Sequence, residues 1–166
     1  DPDGDPWDFA KLLSSLPAGN YQFCPESQKK AYPWRDIVHA WGMASYQFNR
    51  YKGGHEPTVF LEIPAVAASK EEEIYALLAA SFLVRDLVNT PAEDCGPADL
   101  QQVVEQVAKV GAAEFFLHQG EKTLTEHFPM VQAVGRASNR PPVVCGFTWG
   151  DKSHPRVVLV GKGVCF

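Results

Sequence analysis

The sequence predicts an α/β protein: the end of one α/β domain, a long connecting helix, and the first elements of a second, three-layer domain with a mixed sheet. Amphipathic helical patterns alternate with short apolar runs along the chain, as they do in layered α/β domains. One helical pattern of roughly 20 residues lies between two such segments and suits an inter-domain connection. The 166 residues are 45% apolar and 21% charged, so the composition is that of a globular protein with a buried core.

The first predicted domain covers residues 1–68. Apolar residues at helical spacing predict a first helix before a Pro-Ala-Gly turn, and the segment NYQFC at 20–24 predicts a short strand. A long amphipathic helix is expected from Trp34 to about Arg50, because its apolar residues share one face. The segment TVFLEI at 58–63 then predicts a second strand.

The connecting helix is expected over residues 69–91. Ser69 and Glu72 have the spacing of a capping box, and three consecutive glutamates complement the positive end of the helix dipole. The helix should continue to about Asn89 and end before a Thr-Pro pair. We therefore expect the domain boundary in this region.

The second predicted domain, residues 92–166, contains five further elements. They are a helix that starts at Gly96-Pro97 and stops at Gly111, a strand at 113–118, a short helix at 121–128, and strands at 141–149 and 156–161. The last two strands lack polar-apolar alternation, as strands covered on both faces do. The segment 129–142 has two open interpretations: a loop that approaches a substrate or another subunit, or a compact connection whose small residues pack tightly.

A three-layer domain needs more strands and helices than these, so we expect the chain to be cut. The missing initiator Met indicates that the true start lies upstream. Strands that have lost their neighbours should leave apolar edges open, which predicts aggregation or a loose C-terminal half.

Composition argues against several classes of protein. Fifteen basic and 20 acidic residues give a net charge of −5 without a Lys/Arg block, so nucleic-acid binding has weak support. No apolar stretch reaches the roughly 20 residues that a membrane helix needs. The wide spacing of the cysteines favours scattered reduced thiols over a zinc cluster or disulfide framework, and the histidines show no metal-ligand spacing. The four cysteines are Cys24, Cys95, Cys145 and Cys165.

Lys162 is the candidate functional residue. It follows an apolar run and lies between two glycines, which would let a ligand or ion approach the backbone closely. A phosphate loop is excluded because the pattern G-x-x-x-x-G-K-[ST] is absent. The local sequence leaves open a nucleophilic or metal-binding amine and an ordinary surface lysine at a strand end. Asp86, beside Arg85, is similarly either catalytic or a solvated or paired carboxylate.

Four motifs, taken in order, resemble the leucyl (cytosol) aminopeptidase family. They are AWGMASYQFNRYK, LVRDLVNTPAEDCGP, AVGRAS and the terminal VVLVGKGVCF. The resemblance covers most of residues 17–166. One departure is that Met43-Ala44-Ser45 stands where the family pattern has Ala-Leu-Gly.

The resemblance implies that the parent protein is a cytoplasmic, hexameric exopeptidase. Family members use two divalent metal ions, Mn²⁺ or Zn²⁺, to remove N-terminal residues such as leucine from peptides. The resemblance makes residues 92–166 the start of the catalytic domain and Lys162 a direct metal ligand. In the family, a metal-binding aspartate follows the position of Phe166, and the other ligands and the catalytic residues come later.

No catalytic residue of the family is thus expected within this chain, and the chain alone is expected to be inactive and to retain no metal. The alternative is a non-catalytic remnant that acts as an assembly or binding module.

Overall fold

The computed structural model describes residues 5–54 and 57–163. The chain divides into two units, Asp1–Asn89 and Thr90–Phe166, each of which is described by itself. Helices alternate with strands in both, which confirms the α/β class. The strands form one parallel and one antiparallel pair.

The first unit combines four α-helices and two 3₁₀ helices with a two-stranded parallel sheet. Its elements are α1 (Trp7–Ala10), the 3₁₀ helix Lys11–Ser14, β1 (Gly19–Tyr21), α2 (Pro25–Gln28), α3 (Trp34–Ala44), β2 (Val59–Leu61), the 3₁₀ helix Ala65–Lys70 and α4 (Glu71–Asn89). Strands β1 and β2 are parallel, with Gly19 opposite Val59. The predicted strands and helices of this region are therefore present, with shorter bounds.

Helix α3 supplies most of the core of the first unit. Its apolar residues recur on one face, and Trp34, Ile37 and Ala67 form a buried cluster. The ring of Phe23 packs edge-on against Trp34, with centroids 4.8 Å apart. Each such fully buried large side chain contributes about 1.5–3 kcal/mol, so this face anchors the helix.

Two predicted helix ends in the first unit are wrong. Helix α3 ends at Ala44 instead of Arg50, and the Ser45 hydroxyl donates a hydrogen bond back to the Gly42 carbonyl at 2.7 Å. Such a local side-chain bond competes with helix continuation. Ser69 does not cap α4, because it already lies in the 3₁₀ helix before Glu71, and an N-cap needs a non-helical backbone.

The second unit combines three α-helices with a two-stranded antiparallel sheet whose strands are separated in sequence by two of the helices. Its elements are α5 (Pro97–Val110), β3 (Glu114–Gln119), α6 (Glu121–His127), α7 (Pro129–Gly135) and β4 (Val143–Thr148). Strands β3 and β4 are antiparallel, with Phe115 opposite Phe147. Helix α5 starts after Gly96 and stops at Gly111, as the sequence predicts.

Three expectations for the second unit are corrected. Segment 129–142 begins with helix α7, whose first residue is Pro129, a favoured residue at the first helical position. Strand β4 is half-buried to exposed and is not covered on both faces. The strand at 156–161 is absent, and Val157 to Val160 are 71% to 92% exposed. A strand needs a partner for its backbone, and the described residues pair none with this segment.

Cys24, Cys95 and Cys145 form no disulfide, and Cys165 lies outside the described residues. None of the described helices has the length and apolar character needed to cross a bilayer.

Candidate functional site

Lys162 lies in an irregular, exposed segment of the second unit. The space around Gly161 is open, since a Cβ there would meet no atom within 4 Å. Gly163 is exposed as well, but a Cβ there would come within 3.0 Å of the end of the Leu100 side chain, at Cδ1. The backbone after Lys162 thus passes beside the Leu100 side chain of helix α5, and Lys162 itself is exposed and accessible to a ligand.

The donor groups near Lys162 do not by themselves form a metal site. Within residues 5–54 and 57–163, no three His, Cys, Asp or Glu side chains come together as a metal cluster would require. Stable protein sites for divalent ions use several protein donors, and Lys162 supplies one. The accessible lysine suits the role of a single ligand, but the described residues do not complete a donor set.

Asp86 belongs to a cluster in the first unit that surrounds Tyr46. The Tyr46 hydroxyl donates a hydrogen bond to Asp86 Oδ1 at 2.7 Å and accepts one from Asn89 Nδ2 at 3.1 Å. The Arg85 guanidinium lies over the Tyr46 ring, 4.1 Å from its centroid. It also donates to the Met43 carbonyl at 2.8 Å. Three residues of the RDLVN segment therefore converge on one tyrosine.

A cavity of about 220 Å³ adjoins this Tyr46 cluster. Its lining consists of Ser45, Tyr46, Gln47, Asn49, Pro57, Phe82 and Asp86. Desolvation raises the pKa of Tyr46, and the hydrogen bond to Asp86 raises it further. The Asp86 carboxylate is occupied by the tyrosine hydroxyl, which favours the paired interpretation of this residue over a catalytic one.

Arg140 connects two segments of the second unit that are distant in sequence. Its guanidinium donates hydrogen bonds to the carbonyl oxygens of Ala92 and Glu93. A Cβ at Gly96 would come within 3.0 Å of both Arg140 Cδ and Nη1, so the stem packs on that glycine. Sequence reasoning did not identify this contact, because the only signal was an arginine within a segment of small residues.

The glycine of the AVGRAS motif allows close packing. A Cβ at Gly135 would come within 2.3 Å of Pro142 Cγ, so only glycine fits against that ring. This contact favours the compact-connection interpretation of segment 129–142.

Family models match both parts of the chain. Residues 2–64 match the model described as M17 aminopeptidase, N-terminal domain, and residues 82–166 match the catalytic domain of the cytosol aminopeptidase family. Peptidase B of Yersinia pestis (strain Pestoides F) is 30% identical over 137 residues, which cover 76% of this chain and 31% of that protein. The chain thus spans about a third of the length of such relatives.

Solved structures show the same fold. The cytosol aminopeptidase from Coxiella burnetii is 38% identical with a TM-score of 0.89, covering 100% of this chain and 35% of that one. The bottromycin maturation enzyme BotP in complex with Mn has a TM-score of 0.72 at 21% identity, covering 89% of this chain and 33% of its own. The second likeness supports the fold alone.

Proposed function

Because the chain belongs to the cytosol aminopeptidase family, we propose that it is part of a metal-dependent aminopeptidase that removes N-terminal residues, leucine among them, from peptides. The observation that carries the proposal is the catalytic-domain match over residues 82–166, which includes Lys162. The likeness to the Coxiella burnetii enzyme supports it. A full-length protein should release leucine from a leucyl amide when supplied with Mn²⁺ or Zn²⁺, and inactivity with every divalent metal would refute the assignment.

We propose Lys162 as a ligand to one of two metal ions, Mn²⁺ or Zn²⁺, in the parent enzyme. The support is its accessible side and its flanking glycines, together with the family match. The metal ions would polarise the scissile carbonyl and activate water. A metal ion nearby also favours the neutral amine that a ligand must be.

Lys162→Ala in the full-length protein should lower kcat/KM on the order of 100-fold or more, because metal ligands are needed for both binding and chemistry. Lys152→Ala, which removes another exposed lysine of the same unit, is the matched control and should leave activity unchanged. Metal content measured by atomic absorption on the same samples gives a second readout. Equal activity and metal content in the Lys162 variant and wild type would remove Lys162 from the site.

The organisation of the parent protein follows from the same assignment. Residues 1–68 would be the later part of the N-terminal domain, 69–91 the connecting helix, and 92–166 the start of the catalytic domain. The family matches to residues 2–64 and 82–166 support this division. We further propose a cytoplasmic homo-hexamer, which light scattering on the full-length protein would test.

A further inference from the structure

We propose that Arg140 is a positioning residue that holds the start of helix α5 and, through it, the backbone beside Lys162. Its guanidinium binds the carbonyl oxygens of Ala92 and Glu93. Both belong to the turn that leads into α5. A planar guanidinium can bind two neighbouring acceptors at once, so this one side chain secures the turn at two points.

The entry to α5 is held from two directions. The Arg140 stem packs against Gly96, the residue immediately before the helix. The Gly96 N–H donates a hydrogen bond to Asp99 Oδ2 at 2.8 Å, and Asp99 lies in the first turn of α5. Arg140 therefore restrains the entry from outside the helix, and Asp99 restrains it from within.

The link from helix α5 to the segment that carries Lys162 runs through the side chain of Leu100. Leu100 lies in the first turns of the helix. A Cβ on Gly163 would come within 3.0 Å of Leu100 Cδ1. Gly163 directly follows Lys162. A shift of the helix start would move Leu100 relative to the backbone at Gly163 and so change the surroundings of that amide. The assignment of Lys162 as a metal ligand rests on the proposed function. The contacts of Arg140 and of Leu100 do not depend on that function.

The first test measures opening of the turn through Cys95, which lies beside Gly96 and is 9% exposed. Arg140→Met keeps a stem that can pack on Gly96 but removes the guanidinium. We expect iodoacetamide to alkylate Cys95 about tenfold faster or more, since hydrogen bonds to charged groups are among the stronger ones. Exposed Cys24 in the same molecule is the reference thiol.

Two further variants make the result specific. Arg140→Lys should give a smaller increase, because an ammonium group lacks the planar fork that binds both carbonyls. Arg136→Met removes an exposed arginine from the same segment. In this variant, Cys95 should be alkylated at the wild-type rate. If Arg140→Met does not fold by circular dichroism, Arg140→Lys decides the matter. If Cys95 is alkylated at the wild-type rate in every folded Arg140 variant, the proposal is wrong.

The second test follows Lys162's neighbour by NMR on the metal-free 166-residue chain. The amide resonance of Gly163 should shift in Arg140→Met and stay in place in Arg136→Met. An unmoved Gly163 resonance together with faster Cys95 alkylation would overturn the link from α5 to Lys162. Because no metal is present, these outcomes are independent of the metal content and activity of Lys162→Ala, which test the proposed function.

Discussion

At the scale of single residues, Tyr46 shows how a motif can be structural. Arg85, Asp86 and Asn89 all bind this one side chain, with the ring of Phe82 at a centroid distance of 5.2 Å. Positions i, i+1 and i+4 of a helix fall within about 100° of its circumference, so all three side chains can reach one tyrosine beside that face. The RDLVN segment therefore fastens the stretch after α3 to the end of α4.

Tyr46→Phe should lower the stability of the chain at neutral pH, because it removes the hydroxyl that binds Asp86 and Asn89 and keeps the ring. The fold raises the pKa of Tyr46, so its stabilisation is fully present below the ordinary tyrosine pKa of about 10 and is lost as pH rises through the folded value. The measurement is the urea midpoint of both proteins at neutral and strongly alkaline pH.

The midpoint difference between wild type and Tyr46→Phe should shrink as pH rises beyond about 10. Tyr75→Phe is the control, since Tyr75 is 55% exposed. A difference that stays constant across this pH range would show that the hydroxyl does not contribute through its protonated form.

At the scale of elements, helix α7 and the strand that follows it depend on one glycine. The last helical residue, Gly135, lies against the rigid ring of Pro142, which precedes β4. A proline ring cannot rotate away as a flexible side chain can. The separation of helix and strand is thus set by the absence of a single Cβ.

Gly135→Ala should destabilise the chain by about 1–3 kcal/mol, the usual cost of forcing extra volume into a packed contact. Helix propensity alone predicts the opposite sign, by about 1 kcal/mol, so the sign of the change is diagnostic. Denaturant unfolding of wild type, Gly135→Ala, Pro142→Ala and the double variant forms the measurement. The double variant should recover most of the loss, and strictly additive changes would contradict the proposed contact.

At the scale of the whole chain, the second unit carries a contiguous exposed apolar segment at residues 157–160. Residues Val157, Val158, Leu159 and Val160 are 81%, 71%, 92% and 90% exposed, although their sequence is typical of a buried strand. A contiguous apolar segment of this kind favours self-association. The exposed segment therefore supports the prediction that the chain aggregates.

Leu159→Ala in the 166-residue chain should change stability by less than about 0.5 kcal/mol, because an exposed side chain loses no packing. Leu124→Ala is the matched substitution at a position 1% exposed and should cost about 2–5 kcal/mol. Urea unfolding compares them, and light scattering should show less aggregation for the Leu159 variant. A cost at Leu159 similar to that at Leu124 would show that the segment is packed in solution.

The sequence by itself determined the α/β class, the extent of α5, the C-terminal end of α4 and the family. Hydrophobic periodicity and helix-stop residues act over a few neighbouring positions, so they can be read directly from the sequence. Tertiary structure decided the Tyr46 cluster and the Arg140 contact. The Tyr46–Asp86 and Arg140–Ala92 bonds join residues 40 and 48 positions apart, and no local pattern specifies such a pair. Tertiary structure also decided that segment 156–161 is not a strand, because a strand forms only when another strand pairs with its backbone N–H and C=O groups.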